Sequence, residues 1–251
     1  MGVYEHRGDY GYDGSFHTVS AGTQLATVGA ASAALLAVAG FCVTRGKRLA
    51  AALAGASAVE IISTAAWYIH ATRSGKFHVW DGVLDDLRLR GDETLLDLGC
   101  GRGAVLLAAA KRLPQGRAIG VDIWRADQTD NSQQATLANA AAENVTDRIE
   151  VHTADMTALP LADESVDVVV SSLAIHNIPT HAGRHQALDK AVRVLRPGGR
   201  LAIADLWETR QHADQLRELG WRNVRRRNLG WRMWYGGPWF STRLVTATKP
   251  G

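Results

Sequence analysis

The stretch Leu95-Leu96-Asp97-Leu98-Gly99-Cys100-Gly101-Arg102-Gly103 decides the fold of this chain. Its leucines form the apolar run of a strand that is covered on both faces. The alternating glycines then allow a tight turn and the close approach of a ligand to the backbone, because glycine has no Cβ. Ala104 to Arg112 follows with residues that favour a helix. A strand, a glycine-rich turn and a helix in this order predict a nucleotide-binding crevice at the carboxyl edge of a parallel sheet.

Four further apolar runs follow the glycine turn, with helix-forming segments between them. The first, Ala118 to Asp122, ends in an acid about 20 residues beyond the turn, where a carboxylate can accept ribose hydroxyls. The later runs are Ile149 to His152, Val166 to Val170 and Leu201 to Ala204. Before the last run, Arg193 to Arg200 is predicted to close a helix with a Pro-Gly turn. This alternation predicts an α/β fold built on a parallel sheet.

Five landmarks in this order resemble a class I S-adenosylmethionine-dependent methyltransferase, closest to the branch that includes the quinone-biosynthesis C-methyltransferases. The landmarks are LDLGCGRG at 96–103, GVD at 120–122, Ala154-Asp155-Met156, LPLADESVDVVVSS at 159–172 and VLRPGGRL at 194–201. The resemblance implies a Rossmann-like, mostly parallel seven-stranded sheet with helices on both faces, and S-adenosyl-L-methionine as the cofactor. A Rossmann dehydrogenase is disfavoured, because its loop expects a third glycine after two intervening residues, whereas this loop reads Gly-x-Gly-x-Gly.

The same resemblance implies a set of cofactor-binding residues. The set is Asp97, Gly99, Gly101, Gly103, Asp122, Trp124, Asp155, Met156 and Ser171. The residues of the glycine loop would line the methionine half of the cofactor, and Asp122 would accept both ribose hydroxyls. Asp155 would accept the exocyclic amine of adenine, with Met156 and Trp124 covering its two faces. The residues alone leave other roles open: a helix cap for Asp122, a turn for Asp155 and a core position for Trp124.

The segment Ser171 to Asn177 follows the fourth strand, where the family presents its methyl acceptor. Enzymes that methylate the amines of nucleic-acid bases carry an acid or amide, two prolines and an aromatic there, and SSLAIHN does not match. Nucleic acid is therefore not the expected substrate. His176 is the candidate catalytic residue, because a histidine titrates near working pH and can act as a general base. The alternative is a histidine that closes the pocket by hydrogen bonding.

No metal site is predicted. His176, His181 and His185 are the residues that could suggest one, but Pro179 and Gly183 lie between them, and this loop does not fix a ligand geometry. The chain also has only two cysteines, so a disulfide framework is not expected. Its net charge of +3 is compatible with an anionic membrane or a nucleic acid and requires neither.

Residues 1–75 differ in composition from the rest of the chain. Two apolar runs, Leu25 to Val43 and Leu49 to Ile69, are each about long enough to cross a membrane. They predict a helical hairpin that precedes the methyltransferase domain at 76–251, with His70 to Gly75 as a linker. We interpret the hairpin as a membrane anchor with the catalytic domain on the cytoplasmic side.

Two features of the hairpin favour other interpretations. Glu60 lies near the middle of the second run, and a carboxylate is costly at bilayer depth. The link Thr44 to Arg48 is basic, and keeping it cytoplasmic would place the catalytic domain outside. Either the folded domain overrides this rule or the hairpin lies in one leaflet. Otherwise, the helices pack on the soluble domain or on another subunit as an oligomerisation arm.

The C-terminal tail interleaves basic and aromatic residues. They are Arg222, Arg225, Arg226, Arg227 and Arg232 with Trp221, Trp231, Trp234, Tyr235 and Trp239. An antiparallel strand pair with arginines facing water, a membrane contact and stacked nucleic-acid bases all fit this pattern.

The predicted function is methyl transfer to a small or lipophilic acceptor at the membrane. The alternatives are a methyltransferase for a soluble metabolite, with a self-associating hairpin, and a non-catalytic cofactor-binding regulatory protein.

Overall fold

The computed structural model describes residues 6–14, 19–125 and 127–251. Its strands are β1 (Thr94–Leu98), β2 (Arg117–Asp122), β3 (Ile149–Thr153), β4 (Val166–Ser172), β5 (Leu195–Asp205), β6 (Arg225–Asn228) and β7 (Arg243–Thr248). They form one sheet in the order β3-β2-β1-β4-β5-β7-β6. The pairs among β1 to β5 are parallel, and β7 is antiparallel to both β5 and β6. The predicted mostly parallel seven-stranded sheet is confirmed.

Helices cover both faces of this sheet, as predicted. They are α3 (Lys76–Asp86), α4 (Ala104–Ala110), α5 (Gln133–Ala142), α6 (His181–Val194) and α7 (Thr209–Glu218). Leu95 belongs to the core cluster that includes the apolar residues of α3 and α4. Leu96, on the other face of β1, belongs to the cluster with α6 and α7. Because successive side chains of a strand point to opposite faces, the leucine run of β1 is buried on both sides.

The fifth strand begins earlier than the sequence predicts. Instead of a turn at Pro197-Gly198, β5 starts at Leu195 and contains these residues in an irregular section of its pairing with β4. Gly198 has φ +75°, donates its N–H to the carbonyl of Lys249, and is followed by Gly199, whose carbonyl accepts from Lys249. The predicted turn is wrong because these backbone bonds to the end of β7 keep the segment in the sheet.

The two apolar runs form α1 (Ala21–Thr44) and α2 (Arg48–His70), a helical pair that confirms the predicted hairpin. Both helices are long and apolar enough to cross a membrane by length and composition, and only 6% of each apolar window is buried. The core helix of a soluble protein and a signal sequence meet the same criteria of length and composition.

The predicted linker at His70 to Gly75 is wrong. Ala71–Gly75 is a π-helical turn that joins α2 to α3 without a break. A Cβ at Gly75 would lie 1.9 Å from the carbonyl oxygen of Arg232, so this turn packs directly on the loop between β6 and β7. Tight packing, which the sequence pattern does not reveal, keeps the segment helical.

The C-terminal tail forms the antiparallel edge of the sheet. β6 pairs with β7, and its residues Arg225–Asn228 are all exposed. Trp221, just before β6, is buried. This arrangement matches the strand-pair interpretation of the arginines.

Candidate active site

A cavity of about 310 Å³ opens at the carboxyl edge of β1, β2 and β4. Six of the nine predicted cofactor residues line it: Asp97, Gly99, Gly101, Asp122, Asp155 and Met156. These residues are distant in sequence and meet here because the carboxyl ends of parallel strands share one edge of the sheet. The structure therefore brings together the ends of β1, β2, β3 and β4 around one space.

The glycine loop forms a wall of bare backbone. Gly99 has φ +70°, and a Cβ there would lie 2.2 Å from the Cβ of Ala174. Gly101 has φ +50°, and a Cβ there would lie 2.5 Å from Oε1 of Gln128. Both positions combine a left-handed conformation with a close contact, so side chains are excluded on two grounds. The loop thus leaves a cradle that a ligand can approach.

Asp122 holds this loop in place from the end of β2. Its Oδ2 accepts the N–H of Gly101 at 2.8 Å, and its Oδ1 accepts the N–H of Trp124 at 2.6 Å. Burial raises the pKa of this carboxyl, while the backbone bonds lower it. The segment after Asp122 is not helical, so the residue is not a helix cap. Each carboxylate oxygen retains acceptor capacity that can be used toward the cavity.

Asp97 is the least satisfied polar group in the cavity. Its side chain is 1% exposed, and its Oδ1 has no hydrogen-bond partner within residues 6–14, 19–125 and 127–251. Burial raises the pKa of the carboxyl to about 8, with a contribution from the charge of Asp122. A buried carboxyl with one unsatisfied oxygen beside a cavity is a binding-site signature, because a cationic ligand would satisfy that oxygen. The ammonium and sulfonium of S-adenosylmethionine are such cations, so the residues fit this cofactor.

Asp155 and Met156 follow β3 and line the cavity, with Cε of Met156 3.3 Å from the position that a Cβ on Gly99 would take. Asp155 Oδ1 accepts the backbone N–H and the hydroxyl of Thr157, both at 2.8 Å, and so caps a 3₁₀ turn, Met156–Ala158. The turn role left open by the sequence is therefore real. It uses one carboxylate oxygen, and the predicted role at adenine would use the other.

Three predicted cofactor residues do not lie among the residues lining the cavity. The residues are Gly103, Trp124 and Ser171. Gly103 caps α4, and Ser171 donates its hydroxyl to the carbonyl of Leu98 at 2.8 Å. Trp124 has φ +58°, packs against the core and donates its ring N–H to Thr153 at 2.6 Å. Ile123 lines the cavity instead, so the structure favours the core position for Trp124.

His176 borders the cavity without lining it. It lies on a 3₁₀ turn, Ile175–Asn177, between the lining residues Ala174 and Asn177. Its Nδ1 lies 2.5 Å from Oδ1 of the buried Asp205, whose Oδ2 accepts the backbone N–H of His176 at 3.1 Å. A carboxylate at Nδ1 fixes the ring orientation and leaves Nε2 as the basic nitrogen. This pairing suits a general base and also a residue that only shapes the pocket.

Sequence reasoning missed one wall of the cavity. The N-terminal strap, residues 6–14, crosses this edge of the sheet and contributes Asp13 to the lining. Asp13 accepts from Nζ of the buried Lys76 and from the hydroxyl of Tyr235, both at 2.8 Å. Gln128 joins the strap to the glycine loop, since it donates to Asp13 at 3.1 Å and accepts the N–H of Arg102 at 2.9 Å. No sequence motif indicates these contacts, because they join segments that are far apart in sequence.

In the described part of the chain, no group of three or more His, Cys, Asp or Glu side chains could hold a metal ion. His181 pairs with Glu208 at 3.2 Å, and His185 pairs with Asp189 at 3.3 Å. His181 and His185 are thus engaged in separate ion pairs at the surface.

Residues 96–203 match the methyltransferase domain family Methyltransf_11. The chain is 38% identical over 125 residues to the arsenite methyltransferase of Halobacterium salinarum, covering 49% of this chain and 30% of that protein. It is 37% identical over 134 residues to a ubiquinone/menaquinone biosynthesis C-methyltransferase, UbiE, of Dinoroseobacter shibae, covering 53% and 50%. The chain thus spans half or less of the length of these curated relatives.

Solved structures share the fold at low sequence identity. A SAM-dependent methyltransferase from Aquifex aeolicus aligns with a TM-score of 0.54 at 20% identity, over 67% of this chain and 88% of that one. The [4+2]-cyclase SpnF aligns with a TM-score of 0.55 at 19% identity, over 68% and 80%. At these identities the comparison establishes the fold alone.

Proposed function

We propose, from the premise that residues 96–203 are a class I S-adenosylmethionine-dependent methyltransferase domain, that the chain transfers the methyl group of S-adenosylmethionine to a small or lipophilic acceptor. The observation that carries this proposal is Asp97, a buried carboxyl whose Oδ1 has no hydrogen-bond partner among the described residues, beside a side-chain-free glycine loop. Such a group is costly in the free protein and becomes favourable when a cation binds.

The cofactor, when bound, supplies an electrophilic methyl group. Three carboxylates would hold it: Asp97 would lie at the cationic amino-acid end, Asp122 would accept from the ribose hydroxyls, and Asp155 would accept from the adenine amine. Alignment of donor and acceptor and the exclusion of water are the main contributions that a protein makes to such a displacement. Leu173, Ala174 and Ile178 give the acceptor side of the cavity an apolar wall suited to excluding water.

His176 is the residue that we propose to take a proton from the acceptor. The proton would go to Nε2, because Asp205 holds the other ring proton on Nδ1. A small movement of the turn at 175–177 would bring the ring to the cavity, which its neighbours Ala174 and Asn177 already line. An acceptor whose nucleophilic atom carries no proton would leave His176 with a positioning role.

The acceptor class is proposed from the cavity wall and the hairpin. An arsenite methyltransferase, a ubiquinone/menaquinone biosynthesis C-methyltransferase and a 27-O-demethylrifamycin SV methyltransferase are among the relatives, so the acceptors of the relatives differ in chemistry. In this chain the apolar wall, and a hairpin whose second helix ends beside the cavity wall, where Tyr68 donates its hydroxyl to the carbonyl of Asp13 at 2.7 Å, favour an acceptor dissolved in lipid. We place the hairpin in the membrane and the catalytic domain at its cytoplasmic face, where the cofactor is available.

A soluble enzyme with a self-associating hairpin is the second candidate, and Glu60 favours it. This carboxylate is exposed near the middle of α2, where a bilayer would penalise its charge. The substitution Glu60→Leu separates the two candidates. It should increase the fraction of protein bound to lipid vesicles if the hairpin enters the bilayer, and it should change only the oligomeric state if the hairpin binds another copy.

A third candidate is a cofactor-binding protein without methyl-transfer activity. The [4+2]-cyclase SpnF shares the fold, so the architecture alone does not determine the reaction. A transfer assay decides between these candidates. Protein is incubated with S-adenosylmethionine carrying a radioactive methyl group and with a cell extract separated into lipid-soluble and water-soluble fractions.

We expect label in the lipid-soluble products with the unmodified chain and its absence with Asp122→Ala. Asp147→Ala, which removes an exposed acid far from the cavity, is the matched control and should transfer label normally. Label in the water-soluble fraction would favour the soluble enzyme. Cofactor binding with no transfer to either fraction would favour the non-catalytic protein.

A further inference from the structure

We infer that the loop between β6 and β7 is a second membrane-contact element, which lies at the level of the lipid headgroups and turns the cavity edge of the sheet toward the bilayer. This inference rests on the proposed anchoring of the hairpin in a membrane. The aromatic collar, defined as Trp231, Trp239 and Phe240, is the surface that would make the contact.

The aromatic collar exposes large apolar side chains within ten residues of sequence. Trp231 is 44% exposed, Trp239 is 64% exposed and Phe240 is 45% exposed. Single exposed apolar residues are common on soluble proteins, but a cluster beside other apolar surface indicates a contact site. Tryptophan in particular concentrates at membrane interfaces, where its ring meets the chains and its N–H meets water.

The collar is continuous with the hairpin. Trp67, in the last turn of α2, packs edge-on against Trp231 at 5.9 Å and Trp234 at 5.2 Å between ring centroids. His70 stacks on Trp231 at 4.8 Å. Trp67 lies near the end of the apolar run of α2. These contacts therefore fix the collar at the depth where the hairpin leaves the hydrocarbon core of the membrane. The two elements thus form a single surface.

Topology places this surface at the cavity edge. Arg243, the first residue of β7, pairs with Asp205 at the end of β5 and with Asn228 at the end of β6. The loop between β6 and β7 therefore lies at the carboxyl edge of the parallel strands, where the cavity opens. The hydroxyl of Tyr235, within this loop, donates to Asp13 of the cavity wall at 2.8 Å. A membrane that contacts the collar would lie close to the entrance of the cavity.

Cations accompany the aromatic rings at this level. The guanidinium of Arg232 lies 4.7 Å from the ring centroid of Trp231, and that of Arg73 lies 5.2 Å from the ring of Tyr12. Both arginines are exposed. Basic side chains next to interfacial aromatics complement anionic lipid headgroups. This charge favours a lipid surface over a second copy of the chain, whose collar would carry the same sign.

Brominated lipids, which quench nearby tryptophan fluorescence, test the inference. The full chain is mixed with vesicles of phosphatidylcholine and phosphatidylserine brominated either near the headgroups or near the chain ends. Trp239→Phe removes the most exposed collar indole conservatively. Trp221→Phe is the matched control, because Trp221 is 4% exposed and precedes β6 at the opposite edge of the sheet. Cofactor binding by each variant verifies that it is folded.

We expect stronger quenching by bromine near the headgroups, a loss of much of that quenching in Trp239→Phe, and no loss in Trp221→Phe. Protein that sediments with vesicles but shows equal quenching in Trp239→Phe would overturn the collar and leave the hairpin anchor intact. Protein that does not sediment with vesicles at all would overturn both. A change of oligomeric state in Trp239→Phe, without vesicle quenching, would assign the collar to a second copy instead.

Discussion

Replacing Asp122 by alanine is the most informative single perturbation of the site. The carboxylate performs two tasks: it accepts the N–H groups of Gly101 and Trp124, and it is proposed to accept the ribose hydroxyls. Asp122→Ala removes both. Asp122→Asn keeps one oxygen for the loop while removing the charge, so the pair of variants separates loop geometry from ligand recognition.

The expected magnitudes follow from these contacts. A hydrogen bond to a charged group contributes about 1.5–3 kcal/mol, so losing two ribose contacts removes at least about 3 kcal/mol. Each 1.4 kcal/mol is tenfold in affinity, so the cofactor should bind about a hundredfold more weakly to Asp122→Ala. The carboxylate that is removed lines the cavity, so water can enter the space it leaves. The stability loss should therefore stay near 1–3 kcal/mol, a fall in Tm of a few degrees.

Calorimetric titration with S-adenosylmethionine measures the affinity, and thermal unfolding measures the stability. Asp122→Asn keeps one accepting oxygen and places its NH2 against the other backbone N–H, so it should be intermediate in affinity and in Tm. Asp147→Ala should behave like the unmodified chain. A folded Asp122→Ala variant with unchanged affinity would refute the assignment of Asp122 to the cofactor site.

Three further predictions concern ionisable groups. The pKa of Asp97 rises from 3.8 to about 8 on folding, so the folded state retains the proton. The free energy of unfolding should therefore fall as pH rises through this range. Asp97→Asn should flatten this pH dependence, measured by thermal unfolding. Burial opposes ionisation of Glu143, but Lys111 and donors from the strap lower its pKa to about 2, so strap stability should be lost as pH falls from about 4.5 toward 2. Glu143→Gln should speed hydrogen exchange at the Gly8 amide. His176→Ala should lower turnover by about 10²–10⁴-fold with cofactor affinity nearly unchanged.

Each of these predictions has a contrary outcome. A stability profile identical in the Asp97→Asn variant would mean that Asp97 ionises normally in the folded chain. Unaltered exchange at Gly8 in Glu143→Gln, with other amides as internal controls, would show that the strap is held by its other contacts. Turnover within a few-fold of the unmodified chain in His176→Ala would reduce this residue to a pocket wall.

The fold could be predicted because its decisive signals are local. The leucine run of β1 and the glycine turn are adjacent in sequence. The acids at 97, 122 and 155 each lie at or next to the carboxyl end of a strand. Carboxyl ends of parallel strands converge, so residue order alone places these acids at one edge. The hairpin could be predicted as well, because the composition of two long apolar runs indicates two apolar helices.

The remaining features depend on packing between distant segments. Ile123 lines the cavity whereas Trp124, which has φ +58°, packs against the core beside it, and no sequence signal indicates this local reversal. The predicted linker is helical because Gly75 packs on Arg232, and the strap reaches the cavity through Asp13. Contacts of this kind follow from tertiary structure, which periodicity and motifs do not encode.

Proton release on cofactor binding tests whether S-adenosylmethionine binds with its cationic end beside the buried carboxyl of Asp97. A cation placed beside Asp97 should lower its pKa from about 8, so binding at pH 7 should expel a proton. Calorimetric titration with S-adenosylmethionine in buffers of different ionisation enthalpy measures this release. The account predicts saturable binding at one site, with close to one proton released by the unmodified chain and clearly less by Asp97→Asn. Absence of saturable binding, or binding with the same proton release in both proteins, would contradict it.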